Sequence, residues 1–178
     1  MEPKQVVCRS AGAMQMPENA VMADSQISAE VLVYVDESVG SGVVAYGFVV
    51  KKGGETVARE SVAFRMPYTP PACFATCRGI LAALRWLLEH GVHGPRVRVI
   101  SDNNIVDGMP DQRRQFRRTR ESISEAADEL KRRAQALGTD CEVTFERMPR
   151  ALVAEADRLA RTAFERMENP AVKKLEVV

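Results

Sequence analysis

Val31-Leu32-Val33-Tyr34-Val35-Asp36-Glu37-Ser38 is the stretch on which the fold turns. Its first five residues are β-branched, apolar or aromatic, the composition of a strand in a packed sheet. The run delivers a carboxylate at its end and meets a turn marked by Gly40 and Gly42. Asp36 has no stabilising partner within its own segment. Such a group either caps the turn or serves a metal ion or a proton.

Working outward, Gly42–Lys51 reads as a second strand closed by Gly53-Gly54, and Glu55–Phe64 alternates well enough for a third. Three strands joined by short Gly-containing connections make an antiparallel meander. Pro70-Pro71 then opens a helix over Ala72–His90, with apolar residues at helical spacing and Gly91 as its stop. Arg96–Ser101 is a short strand, and Ser101-Asp102-Asn103-Asn104 begins a new helical turn that Pro110 ends. A helix over Glu121–Leu137, a strand over Glu142–Arg147 and a last helix over Ala151–Met167 complete the order β-β-β-α-β-α-α-β-α. That order predicts an α/β fold. Its mixed five-stranded sheet has three antiparallel strands followed by two parallel ones, with helices on both faces. Residues 1–29 read as a flexible leader, 30–168 as the domain and 169–178 as a short tail.

A chain of 178 residues has room for one full core. A formal net charge of +1 excludes a strongly basic or acidic protein overall. No apolar run approaches the roughly 18 residues of a membrane helix, and the leader lacks a secretory apolar region. The expected compartment is therefore the cytoplasm, with no membrane partner. The four cysteines lack zinc-site spacing, and Cys73 and Cys77, one helical turn apart, read as small buried helix residues.

The element order together with three motifs resembles the ribonuclease H family. Val35-Asp36-Glu37-Ser38 is similar to the family's strand–Asp-Gly-Ser, and Ser101-Asp102-Asn103-Asn104 to its Ser-Asp-Ser-Gln. Pro149-Arg150-Ala151-Leu152-Val153-Ala154-Glu155-Ala156-Asp157-Arg158-Leu159-Ala160 resembles its closing Pro-Arg-x-x-Asn-x-x-Ala-Asp-x-Leu-Ala. The resemblance covers roughly residues 30 to 166. Three departures stand out. Thr76 occupies the place of the family's helix glutamate, Val153 that of the asparagine, and Glu37 that of the glycine after the first aspartate.

What the resemblance implies is a two-metal phosphodiester hydrolase acting on the RNA strand of RNA/DNA hybrids. Such chemistry needs several carboxylates around a pair of hard cations about 3.5–4 Å apart. Asp36, Asp102 and Asp157 are the implied Mg2+ (or Mn2+) ligands and catalytic residues. Glu37 is the candidate replacement for the missing acid, although strand alternation aims it away from Asp36 unless a bulge intervenes. On this reading Thr76→Glu is expected to raise activity or metal affinity. Each aspartate also has a plainer role: Asp102 as a helix N-cap, Asp157 as the partner of Arg161, Asp36 as a turn residue.

Arg113, Arg114, Arg117, Arg118 and Arg120 crowd into eight positions, a local field that near-neutral overall charge does not predict. The guanidinium fork suits phosphate, so these arginines, with Ser38 and Asn103, are the expected contacts to RNA/DNA hybrid or structured RNA. Two functions follow. One is a metal-dependent endonuclease with a degenerate site. The other is a catalytically inactive descendant that binds nucleic acid or a protein partner.

Overall fold

The computed structural model describes residues 5–9, 30–107, 109 and 116–169. Strands β1 (Gln5–Arg9), β2 (Val31–Gly40), β3 (Val43–Lys52) and β4 (Glu55–Arg65) come first. Helix α1 (Ala72–Glu89), strand β5 (Arg96–Ser101) and a single 3-10 turn (Asn104–Val106) follow. The chain closes with α2 (Arg117–Ala136), β6 (Glu142–Arg147) and α3 (Arg150–Glu168). The sheet runs β1-β4-β3-β2-β5-β6. β2 to β4 form the expected meander, and β5 and β6 lie parallel to β2. Gln5–Arg9, inside the stretch read as a leader, adds an antiparallel edge strand to β4; residues 10–29, like the tail from 170 onward, lie outside the described residues. Among the described residues, no helix is long and apolar enough to cross a membrane.

Two sequence boundaries shift. β2 does not end at Asp36 but continues in unbroken register with β3 to Gly40. What does end is its pairing with β5, whose last matched residues are Tyr34 and Ile100. Helix α2 starts at Arg117, one turn before Glu121, because arginine is a good helix former and its charge does not break a helix.

The two faces of the sheet are packed differently. Val31, Val33 and Val35 of β2 meet Ile80, Leu84 and Leu87 of α1 and Ile123 of α2, all fully buried. Each such side chain contributes roughly 1.5–3 kcal/mol of burial. On the other face α3 lies against Ala45 and Ala63 through Ala163, so small residues let the helix come close. Two glycines set these approaches. A Cβ on Gly79 of α1 would stand 2.7 Å from Val35 Cγ1, and one on Gly47 of β3 2.7 Å from the Ala156 carbonyl oxygen of α3. Gly79 weakens its helix by about 1 kcal/mol relative to alanine, and in return α1 seats directly on β2 beside Asp36.

Candidate active site

Parallel neighbours present their C-terminal ends together, the place where open α/β sheets bind ligands. Asp36 and Asp102 each follow the last β2–β5 pair by two residues, and the Asp102 charge acts on Asp36. Asp36 is paired across the strands with Gly47, on which α3 rests through Ala156 and Ala160. Asp157 follows Ala156 directly on that helix. The three motifs thus converge on one end of the sheet.

Asp36 is 3% exposed. Its Oδ1 accepts the Glu37 backbone N–H at 2.8 Å, while Oδ2 is buried with no hydrogen-bond partner among the described residues. An unpaired carboxylate oxygen out of water is costly. Burial accordingly pushes the Asp36 carboxyl up to about 7. The Glu37 N–H opposes that rise, and the charges of Glu37, Asp102 and Asp157 reinforce it. Asp36 therefore senses all three other acids.

Glu37 reaches the site from the opposite face, and without a bulge, since β2 and β3 stay in register there. Its Oε2 accepts from the Thr76 hydroxyl of α1 at 2.9 Å and its Oε1 from the Asn103 side-chain amide at 3.0 Å. Burial raises the Glu37 carboxyl, and the hydrogen bonds from Asn103 and Thr76 oppose that rise without cancelling it. The side chain thus carries a carboxylate to Thr76, the position where the resemblance led one to expect an acid.

Asp157 is held differently. Its Oδ1 accepts from Arg150 at 2.6 Å, and Arg161 donates to Oδ1 at 3.1 Å and Oδ2 at 2.8 Å. Partial burial acts to raise its pKa, but the two guanidinium groups outweigh this and hold the carboxyl below its ordinary range. The plainer pairing with Arg161 is therefore present, joined by Arg150, whose charge also senses Asp36 and Asp102. Asp102 is not the N-cap of the following turn. Asn103 is, its Oδ1 accepting the Ile105 N–H at 3.0 Å. Asp102 instead lines an open cleft of about 470 Å³ with Arg147, Met148, Pro149 and Arg150.

The expected nucleic-acid contacts divide. Ser38 is half-buried on β2, and Arg117 and Arg118 are exposed in the first turn of α2, Arg117 pairing with Glu121 at 3.2 Å. Arg113 and Arg114 lie outside the described residues. Asn103 turns inward, with its amide given to Glu37. Arg120 departs from the surface reading: it is 3% exposed, on the same buried face of α2 as Ile123 and Leu130, so it does not belong to an exposed basic patch. Arg147 and Arg150 were not singled out from the sequence. Their signal was present in Arg147-Met148-Pro149-Arg150, where a strand ends and a proline-led helix starts beside the aspartates.

The donor set is all oxygen, which suits a hard cation such as Mg2+, and the unpartnered Asp36 Oδ2 is the atom such an ion would satisfy. Among the described residues, no three His, Cys, Asp or Glu side chains are gathered as a metal-holding group. Asp157 would have to leave its arginines to join one.

No protein-family model matches the chain, and no curated protein matches it by sequence. Solved structures do. Ribonuclease H1 from Halobacterium salinarum superimposes with a TM-score of 0.60 at 22% identity, over 76% of this chain and 98% of that one. The N-terminal ribonuclease H domain of a Mycobacterium tuberculosis protein gives 0.61 at 20% identity, over 81% and 99%. LC11-RNase H1, solved in complex with an RNA/DNA hybrid, gives 0.61 at 16% identity, over 77% and 98%. The chain is an α/β protein with a mixed sheet flanked on both faces by helices. More particularly, it has the ribonuclease H fold.

Proposed function

We propose that this protein is a divalent-metal-dependent endonuclease that cleaves the RNA strand of RNA/DNA hybrids. Asp36, Asp102 and Asp157 are its metal-ligand acids and Glu37 its fourth carboxylate. The observation that carries the reading is the bare, buried Oδ2 of Asp36, within the field of Glu37, Asp102 and Asp157. A fold that keeps such an atom where its central strand parts from β5 sacrifices stability there, as binding and catalytic sites do. Bound Mg2+ or Mn2+ would supply an activated water and charge stabilisation at the leaving 3′-oxygen.

The chain's own residues do the rest. Asp36 holds its buried carboxylate ready for positive charge, and Glu37 is fixed in place by two donors. Arg147 and Arg150, exposed beside Asp102, offer guanidinium groups to a phosphate backbone, and Arg117 and Arg118, exposed at the start of α2, offer two more. Recognition of the hybrid would rest on groove shape and 2′-hydroxyls rather than on base sequence.

The test is cleavage of an end-labelled RNA/DNA hybrid with Mg2+ or Mn2+, with Asp36→Asn beside it. Metal-dependent cleavage lost in Asp36→Asn is the expected outcome; cleavage that persists in the variant would overturn the assignment. The capture of Asp157 by Arg150 and Arg161 favours a second reading, a non-catalytic hybrid-binding protein. Salt-sensitive hybrid binding with no cleavage by the unaltered chain would select it.

A further inference from the structure

We propose that Thr76 and Asn103 are positioning residues for the Glu37 carboxylate. This inference rests on the functional reading above. Glu37 is the one side chain of the cluster with both carboxylate oxygens hydrogen-bonded to neutral donors from two separate elements, α1 and the turn after β5. Neutral donors fix a carboxylate without cancelling its charge, whereas Asp157 is neutralised by Arg150 and Arg161.

Each donor is itself set in place. Thr76 is fully buried. Its hydroxyl lies 2.9 Å from Glu37 Oε2 and 3.2 Å from the Ala72 carbonyl, and its single proton goes to the shorter, charge-assisted contact. Asn103 is oriented by the Ile105 N–H on its Oδ1, which leaves the amide nitrogen to face Glu37. Its backbone N–H is held in turn by Ser101 Oγ at 3.3 Å.

The expectation drawn from the sequence for Thr76→Glu is therefore reversed. A glutamate at 76 would replace a donor by a second carboxylate, buried against the first, and like charges in such a place cannot both ionise.

Mn2+ affinity by isothermal titration calorimetry, checked by the melting temperature of each variant, tests this apart from activity. Thr76→Val and Asn103→Ala should each weaken Mn2+ binding by about 10-fold, the usual effect of removing a partner that orients a ligand. Thr76→Ser, which keeps the hydroxyl, should bind within a few-fold of the unaltered chain. Thr76→Glu should bind no better than the unaltered chain and melt lower. Tighter binding by Thr76→Glu, or unchanged binding by Thr76→Val and Asn103→Ala, would overturn the inference while leaving the metal site standing. Absence of Mn2+ binding by the unaltered chain would overturn the parent reading and this one with it.

Discussion

Asp36 and Glu37 are consecutive acids on one strand, and they meet opposite treatment. Glu37, on the α1 side, has both oxygens satisfied by neutral donors. Asp36, on the α3 side, has one oxygen on a backbone N–H and the other buried and bare. The period of two in a strand sends neighbours to opposite faces, so a single backbone segment can hold one carboxylate firmly and leave the next poised. What is held positions; what is bare has unused binding capacity.

The comparison breaks most sharply at Asp36→Asn. The amide removes the buried charge, so hybrid cleavage and Mn2+ binding should fall below detection. At pH 8 the metal-free variant should be more stable than the unaltered chain by on the order of a few kcal/mol, as read by urea denaturation. A variant both inactive and less stable would mean that the charge is compensated after all.

pH sharpens the same contrast. Asp36 is raised to about 7 in the folded protein against 3.8 for the free group. Between those values the folded state binds the extra proton, so this contribution to stability is complete below about 4 and is lost as pH rises through about 7. The Glu37 shift has the same direction. The urea midpoint of the metal-free chain should therefore decline from pH 5 to pH 8, and the decline should shrink in Asp36→Asn. A midpoint that rises across this range would contradict the burial-driven shift.

Gly47→Ala tests how α3 is brought to Asp36. The new methyl would meet the backbone of Ala156 and Ala160, at 2.7 and 2.8 Å, and backbone cannot step aside as a side chain can. A loss of about 1–3 kcal/mol is expected, with metal affinity reduced because Asp157 moves away with its helix. The smallest effect belongs to Arg161→Gln. Its guanidinium is largely exposed and Arg150 still holds Asp157, so the stability change should stay within about 1 kcal/mol.

Much of this architecture was readable in the residues. Hydrophobic spacing located the strands and helices of the domain to within a few positions, because β-branched runs and glycine stops are local signals. Asp36, Asp102 and Asp157 were grouped by the resemblance, because each lies within one of its three motifs on an element of its own. Glu37 was harder. Alternation correctly placed it on the far face but suggested that a bulge was needed, whereas α1 and Asn103 wrap around that face and meet it. Arg120 was misjudged because a run of arginines looks uniformly solvated, while the helical period turns every third or fourth residue inward. Gln5–Arg9 is too short and too mixed in composition to announce a strand, since its pairing is supplied by β4.

That pairing has a consequence for handling the chain. β4 is the outermost strand of the meander, and Gln5–Arg9 occupies its open hydrogen-bonding side over five residue pairs, Gln5↔Phe64 to Arg9↔Glu60. A version trimmed to start after residue 9 would present that side as a free template, on which strands from neighbouring molecules can stack. Shortened preparations would then self-associate with rising concentration even though the carboxylate end of the sheet, on β2 and β5, remained untouched.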